Sequence, residues 1–133
     1  MKSIEVVAAI IHKDGNILAT QRGYGDYKDG WEFPGGKMQA SETAEQAVIR
    51  EIDEELRVRI KPEALVTTVE HDYPDFHLTM HCFFSEIVEG EIVLTEHEAM
   101  KWLTEETLDS VEWLPADIKV VEELKKFLAA RHA

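Results

Sequence analysis

Three glutamates in one short stretch, Glu51, Glu54 and Glu55, have the type and spacing to share a divalent cation and to run phosphate chemistry on it. At roughly a hundred degrees per residue they fall within about one quadrant of a helix, while Asp53 points away. Crowded carboxylates repel and raise one another's pKa values, an objection that a bound cation removes. Oxygen ligands alone favour a hard ion, so Mg²⁺ is the first expectation and Mn²⁺ the second. Arg50, beside Glu51, is expected to pair with Glu42 or with a glutamate of the cluster and so hold its orientation. The plainer reading, a Glu-rich helix face that is merely solvated, is the commoner fate of an arbitrary Glu-Glu pair.

The elements around the glutamates must hold them at the rim of a cleft. Val48, Ile49, Ile52 and Leu56 cluster on the adjacent arc and supply an apolar stripe for burial. Ala44 and Ala47 lie beneath the carboxylates and leave room for a ligand. Thr43 with Gln46 fits a capping box, which starts the helix after Glu42 and makes Gly35-Gly36 the loop feeding it. Upstream, Ile4 to His12 breaks at Asp14-Gly15-Asn16, a hairpin signal before Ile17 to Gln21. Gly23 to Gly30 reads as a mobile surface loop bordering the substrate. Downstream, Pro62 punctuates the chain, and Leu65 to Tyr73 and Phe76 to Val88 read as strands joined near Pro74-Asp75. Glu89-Gly90 turns into Ile92 to Leu94, Ala99 to Leu103 reads as a short strand, and Glu105 to Leu108 as a helical turn. A final helix is expected over Ile118 to Arg131, with Val120, Val121, Leu124, Phe127 and Leu128 inward. The pattern is α/β, a mixed sheet with helices on both faces, with no internal repeat.

Composition bounds the function. With 133 residues and 44% hydrophobic content, one domain over residues 1–133 is the simplest organisation. A net charge of −13 argues against a nucleic-acid polymer as partner and accepts a small, metal-chelated nucleotide more easily. The single cysteine, Cys82, excludes an internal disulfide framework and suits a reducing cytoplasm, with a packing role expected. No apolar run reaches membrane-spanning length, and Met1-Lys2-Ser3 does not open a signal peptide. A monomer or a homodimer is expected. The six histidines show no zinc spacing on a helix, and His77 and His81, which share a strand face, carry no assigned role.

The order of the residues around the glutamates resembles the Nudix box, GX5EX7REUXEEXGU with U a bulky aliphatic residue. Gly36, Glu42, Arg50, Glu51, Ile52, Glu54, Glu55 and Val58 match, and only the last glycine is replaced, by Arg57. That position suits a left-handed helix C-cap, where a non-glycine residue costs on the order of 1 kcal/mol, and no metal ligand is lost. The likeness spans nearly the whole chain. Ile4 to Ile11, Ile17 to Arg22, Trp31 to Lys37, Tyr73 to Met80 and Leu114 to Asp117 look like the MutT branch of small nucleoside triphosphate pyrophosphohydrolases.

The resemblance implies an α/β/α Nudix sandwich and Mg²⁺-dependent hydrolysis of a (deoxy)nucleoside triphosphate, cytidine or oxidised guanine, to monophosphate and pyrophosphate. It implies that one carboxylate deprotonates the attacking water, Glu51 favoured over Glu54, and that the Gly36 carbonyl joins Glu51, Glu54 and Glu55 on the metal. Glu98, or Glu96 in its place, is a further ligand candidate from outside the box, against a plain surface charge. Arg22 resembles a substrate-contacting arginine and weighs evenly against a surface salt bridge, while Lys37 can meet terminal phosphates as a point charge. Glu32 and Phe33, in Trp31-Glu32-Phe33, resemble residues near sugar and base. Phe76 can stack on the base, although an aromatic in a strand is more often core. Asp117, before the last helix, is a candidate reader of the base edge, equally well explained as an N-cap. Competing readings are a Nudix hydrolase of a nucleoside diphosphate derivative such as ADP-ribose, and a non-catalytic nucleotide sensor, which the intact carboxylate set disfavours.

Overall fold

The computed structural model describes residues 1–132. Seven strands, β1 (Lys2–Lys13), β2 (Asn16–Arg22), β3 (Trp31–Glu32), β4 (Gly35–Lys37), β5 (Arg59–Asp72), β6 (Phe76–Glu89) and β7 (His97–Leu103), form one mixed sheet. The helices are α1 (Ala44–Leu56) and α2 (Pro115–His132), with a 3₁₀ turn at Glu105–Ser110. Strand β1 runs parallel to β6 and antiparallel to β2 and β4, and β5 completes an edge beside β6.

The unbroken apolar run of β1 follows from its place. Val7, Ala9 and Ile11 pack with Ala47, Val48, Ile52 and Leu56 of α1, and Ala8 and Ile10 pack with Val120, Val121 and Leu124 of α2. A strand covered on both faces cannot alternate apolar with polar, because both sides are core. Cys82, between β1 and β5, is buried on the α2 side, and burial pushes its thiol pKa up.

Four local expectations give way to pairing. Gly35-Gly36, read as a loop, forms β4 against Val7 and Ala8, and a Cβ on Gly35 would strike the Val7 carbonyl oxygen. The strand expected from Leu65 starts at Arg59 and takes in Pro62, tolerated because β5 is an edge strand and its register shifts between Pro62 and Ala64. Ile92 to Leu94 adds no strand; Val93 N–H and Thr95 N–H instead donate to the Leu56 and Glu55 carbonyls at the end of α1, at 2.9 and 3.2 Å. The last helix starts at Pro115, so Asp117 stands inside its first turn rather than before it. Proline is well placed at a first helical position, where its missing N–H loses nothing.

Candidate active site

Helix α1 begins as the sequence requires. Thr43 accepts from Gln46 N–H and Gln46 Oε1 accepts from Thr43 N–H, a closed capping box, and the helix ends at Arg57 with φ of 59° in the left-handed region. Between these ends the three glutamates separate by depth. Glu55 is buried at 8% exposure, the Glu51 side chain is 14% exposed, and that of Glu54 is 57% exposed.

Arg50 gathers the acids around it. Its Nε and Nη2 donate to the two Glu42 oxygens at 2.6 and 2.9 Å, Nη1 donates to Glu51 at 2.9 Å and to Glu54 at 3.3 Å, and Nη2 also reaches the Lys37 carbonyl at 3.0 Å. Both partners proposed for Arg50 are therefore present. The fork geometry suits a guanidinium and no lysine could reproduce it. Arg50, with the Gln39 N–H behind it, holds the Glu42 carboxyl below its ordinary value. Gly36 matters sterically: a Cβ there would run into the Glu51 carboxylate.

Glu55 is the exception to this neutralisation. Its Oε2 is buried without a hydrogen-bond partner, and burial, then the charges of Glu96, Glu51 and Glu32, push its pKa up to about 9. Among the described residues no three His, Cys, Asp or Glu side chains are gathered on one cation position, since Glu51 and Glu54 turn to Arg50. The donor set nonetheless fits a hard divalent ion, because an orphaned carboxylate oxygen in a field of carboxylates is the environment a cation would satisfy. Glu96 shares the cleft with Glu55, whereas Glu98 pairs with Lys28 at 3.4 Å.

Beside this acidic region lies a cavity of about 280 Å³, mostly apolar, and it collects all six substrate candidates, Arg22, Glu32, Phe33, Lys37, Phe76 and Asp117. A second cleft of about 390 Å³ holds Glu55, Glu96 and His97 and shares Arg22, Glu32, Gly35, Gly36 and Lys37 with the first. The shared residues form the passage between an apolar pocket and the carboxylates.

Side chains in this passage are tightly held. Arg22 Nη2 donates to Glu32 at 2.7 Å and Nη1 to the Asp26 carbonyl at 2.9 Å, so Arg22 is both an ion-pair partner and a brace for the following loop. Burial alone would push the Glu32 carboxyl up, but His97 at 3.4 Å and Arg22 outweigh it and leave it below its ordinary value. His97 escaped the sequence reading. Only the tertiary pairing of β7 with β2, which sets it opposite Arg22, makes it a partner of Glu32. Glu96 was weighed from the sequence but placed second to Glu98.

Asp117 sits 5% exposed, and its Oδ1 accepts from Phe33 N–H at 3.0 Å. Burial pushes its pKa up to about 8. The helix N-terminus is served by another group, since Ala116 N–H donates to the Tyr73 hydroxyl at 3.2 Å. Phe33 stacks on Trp113 at 4.6 Å, and Phe76 stacks on Tyr73 at 5.0 Å. Phe76 is half-buried at the cavity wall, where it also packs against the edge of the core. Two histidines on the sheet surface are paired, His77 with Asp72 and Glu70, and His81 with Glu5 and Thr68.

Comparison with known proteins agrees with this arrangement. The NUDIX domain profile matches residues 1–129. The CTP pyrophosphohydrolase of Escherichia coli K12 is 36% identical over 134 aligned positions, covering 100% of this chain and 99% of the relative. The 8-oxo-dGTP diphosphatase of the same organism is 32% identical over 128 positions, covering 95% and 99%. The solution structure of the E. coli ORF135 protein superposes with a TM-score of 0.86 at 35% identity, covering 100% of this chain and 96% of that one. A carboxylate-lined helix behind a glycine strand, a pocket opening onto it, and this likeness along the whole chain establish that the protein is a member of the Nudix hydrolase family.

Proposed function

We propose that this chain hydrolyses a (deoxy)nucleoside triphosphate, with cytosine or an oxidised guanine as base, to the monophosphate and pyrophosphate in the presence of Mg²⁺. The observation that carries the reading is the junction of the two spaces: an apolar cavity with Asp117 in its wall opens, past Arg22 and Lys37, onto a cleft lined by Glu55 of α1 and by Glu96. The dimensions suit a base at one end and phosphates at the other. The relatives named for CTP and 8-oxo-dGTP support the same class.

The base is read by Asp117. With its pKa raised to about 8, the carboxyl is largely protonated at neutral pH and presents an O–H donor beside an acceptor. A neutral acid pairs with an edge that offers one acceptor and one donor, as cytosine does at N3 and N4, and an oxidised guanine at O6 and N7. Phe33, fixed on Trp113, and Phe76, fixed on Tyr73, supply flat apolar surfaces for the ring.

At the other end Lys37 and Arg22 meet phosphate oxygens as cations, and Arg22 keeps Glu32 in line. Glu51, Glu54, Glu55 and the Gly36 carbonyl are the groups that would hold Mg²⁺, with Glu96 or Glu98 beside them. Mg²⁺ bound there would neutralise charge on the phosphates and lower the pKa of a coordinated water. Glu51, fixed by Arg50 against Gly36, takes the proton from the attacking water, and Glu54 is the alternative base. Glu42 and Arg50 act through Glu51 by fixing its rotamer. Arg50 is bound to six oxygens already, so it is a poor phosphate ligand.

The test is a panel of CTP, dCTP, 5-methyl-dCTP, 8-oxo-dGTP, dGTP, ATP and ADP-ribose with Mg²⁺, scoring monophosphate against pyrophosphate and orthophosphate. Pyrophosphate release from one or two triphosphates is the expected outcome. Cleavage of ADP-ribose alone would overturn the substrate class, and binding without any cleavage would overturn the enzymatic reading of this chain.

A further inference from the structure

The loop between β2 and β3 carries an aromatic side chain that none of the site residues above accounts for. Tyr27 lies on the wall of the base cavity, 47% exposed, with its ring 5.7 Å from that of Tyr73 and tilted by 56°. Its backbone is in the left-handed region at φ of 61°, where a bulky residue is sterically disfavoured. An outlier of that kind persists only where its surroundings hold it, and such positions concentrate at ligand clamps.

The surroundings here do hold it. Arg22 Nη1 donates to the Asp26 carbonyl at 2.9 Å, Gly30 N–H donates to the Tyr27 carbonyl at 2.9 Å, and Asp29 N–H donates to the Arg22 carbonyl at 2.9 Å. Gly30 is packed so closely on Leu114 that a Cβ there would collide with it, which seats the loop on the wall of the same cavity. The residue that braces the loop, Arg22, is also the cation at the passage to the carboxylates. An apolar ring is thus kept half in water at the mouth of a pocket, where its exposed face has no protein partner to cover it.

We propose that Tyr27 is a substrate-binding residue that closes the open side of the base pocket by stacking on the bound base, completing a wall begun by Tyr73 and Phe76. The inference rests on the nucleoside triphosphate reading above. Stacking is blind to the hydrogen-bonding edge, so Tyr27 supplies binding strength and holds the base where Asp117 can discriminate. Losing it therefore weakens every base by a similar factor and leaves the preference set at Asp117 in place.

The experiment compares Tyr27→Ala and Tyr27→Phe with the natural protein by equilibrium binding of CMP, 8-oxo-dGMP and inorganic tripolyphosphate, and by kcat and KM on the preferred triphosphate. Tyr27→Ala is expected to weaken monophosphate binding and raise KM by about tenfold, the size of one base–aromatic contact, with kcat within about twofold and tripolyphosphate binding unchanged. Tyr27→Phe is expected to behave as the natural protein, because the ring and not the hydroxyl makes the contact. Unchanged monophosphate binding in Tyr27→Ala overturns the proposal. So does an equal loss for tripolyphosphate, which would make Tyr27 a prop for Arg22. Absence of triphosphate hydrolysis in the natural protein overturns the parent reading instead, and the binding measurement still decides the role of Tyr27.

Discussion

Two buried acids stand at the two ends of the site, and their environments separate their work. Glu55 and Asp117 are both pushed well above the ordinary carboxylate range, to about 9 and about 8, and burial is the leading cause in each case. What surrounds them differs. Asp117 has a settled partner in the Phe33 N–H and apolar walls, so its neutral form is stable where it sits. Glu55 has an orphaned oxygen and three neighbouring carboxylates, so burial and repulsion both disfavour its charged form. The same desolvation thus acts in two different surroundings, and under the proposed function a divalent cation should change the second and leave the first alone.

The sharpest way to break this contrast is to remove charge from the helix face. Glu54→Gln is expected to lower kcat by on the order of a hundredfold or more at saturating Mg²⁺, with circular dichroism and thermal unfolding unchanged, since Glu54 is the most exposed of the three. Near-normal turnover in that variant would sink the metal assignment. Glu51→Gln, made in parallel, should cost as much or more and identifies the base by the loss of the ascending limb of the pH profile.

The opposite end responds in selectivity. Asp117→Asn fixes one donor and one acceptor at every pH, and Asp117→Ala removes both. The alanine variant is expected to lose roughly tenfold to a hundredfold in kcat/KM on the preferred base and much less on its competitors, the worth of a buried polar pair of about 1–3 kcal/mol. Equal loss on every base would mean that Asp117 only positions Phe33.

Stability against pH distinguishes the two acids without any substrate. A carboxyl with a folded pKa above its unfolded one contributes stability that is complete below the unfolded value and is lost as pH rises through the folded value. For Glu55 that window runs from about 4.5 to about 9, and for Asp117 from about 3.8 to about 8. The metal-free protein should therefore lose melting temperature steadily from pH 5 to pH 9. Added Mg²⁺ should flatten the part that Glu55→Gln also flattens and leave the part due to Asp117. A melting temperature insensitive to pH over that range would refute the shared raised pKa values.

The smallest effect sits at the end of α1. Arg57 occupies a left-handed cap where the Nudix pattern has glycine, and Arg57→Gly is expected to stabilise by up to about 1 kcal/mol, a few degrees in melting temperature, with activity unchanged. A destabilised variant would show that the arginine side chain contributes more than its backbone conformation costs.

Helix α1 was legible because its information is local. The capping box, the quadrant of glutamates, the apolar stripe and the departure at Arg57 all lie within one turn or two of their partners. The substrate candidates were legible as residue types at motif positions, and the fold brings all six into one cavity. Other features were not local. Gly35-Gly36 reads as a turn until β1 arrives beside it, and Ile92 to Leu94 is only an apolar stretch after a turn until the open carbonyls at the end of α1 claim it.

The sequence by itself determined the family, the longer strands and helices in order, the site-bearing helix and the candidate list, because spacing along one helix or one strand is set by backbone geometry alone. Tertiary structure decided depth. Which glutamate is buried and unpaired, that His97 faces Glu32, that Glu96 rather than Glu98 shares the cleft with Glu55, and that Asp117 is pushed above the ordinary carboxylate range all depend on what is packed around each group. Charge in a protein is governed by desolvation and neighbours, and a chain has neither until it is folded.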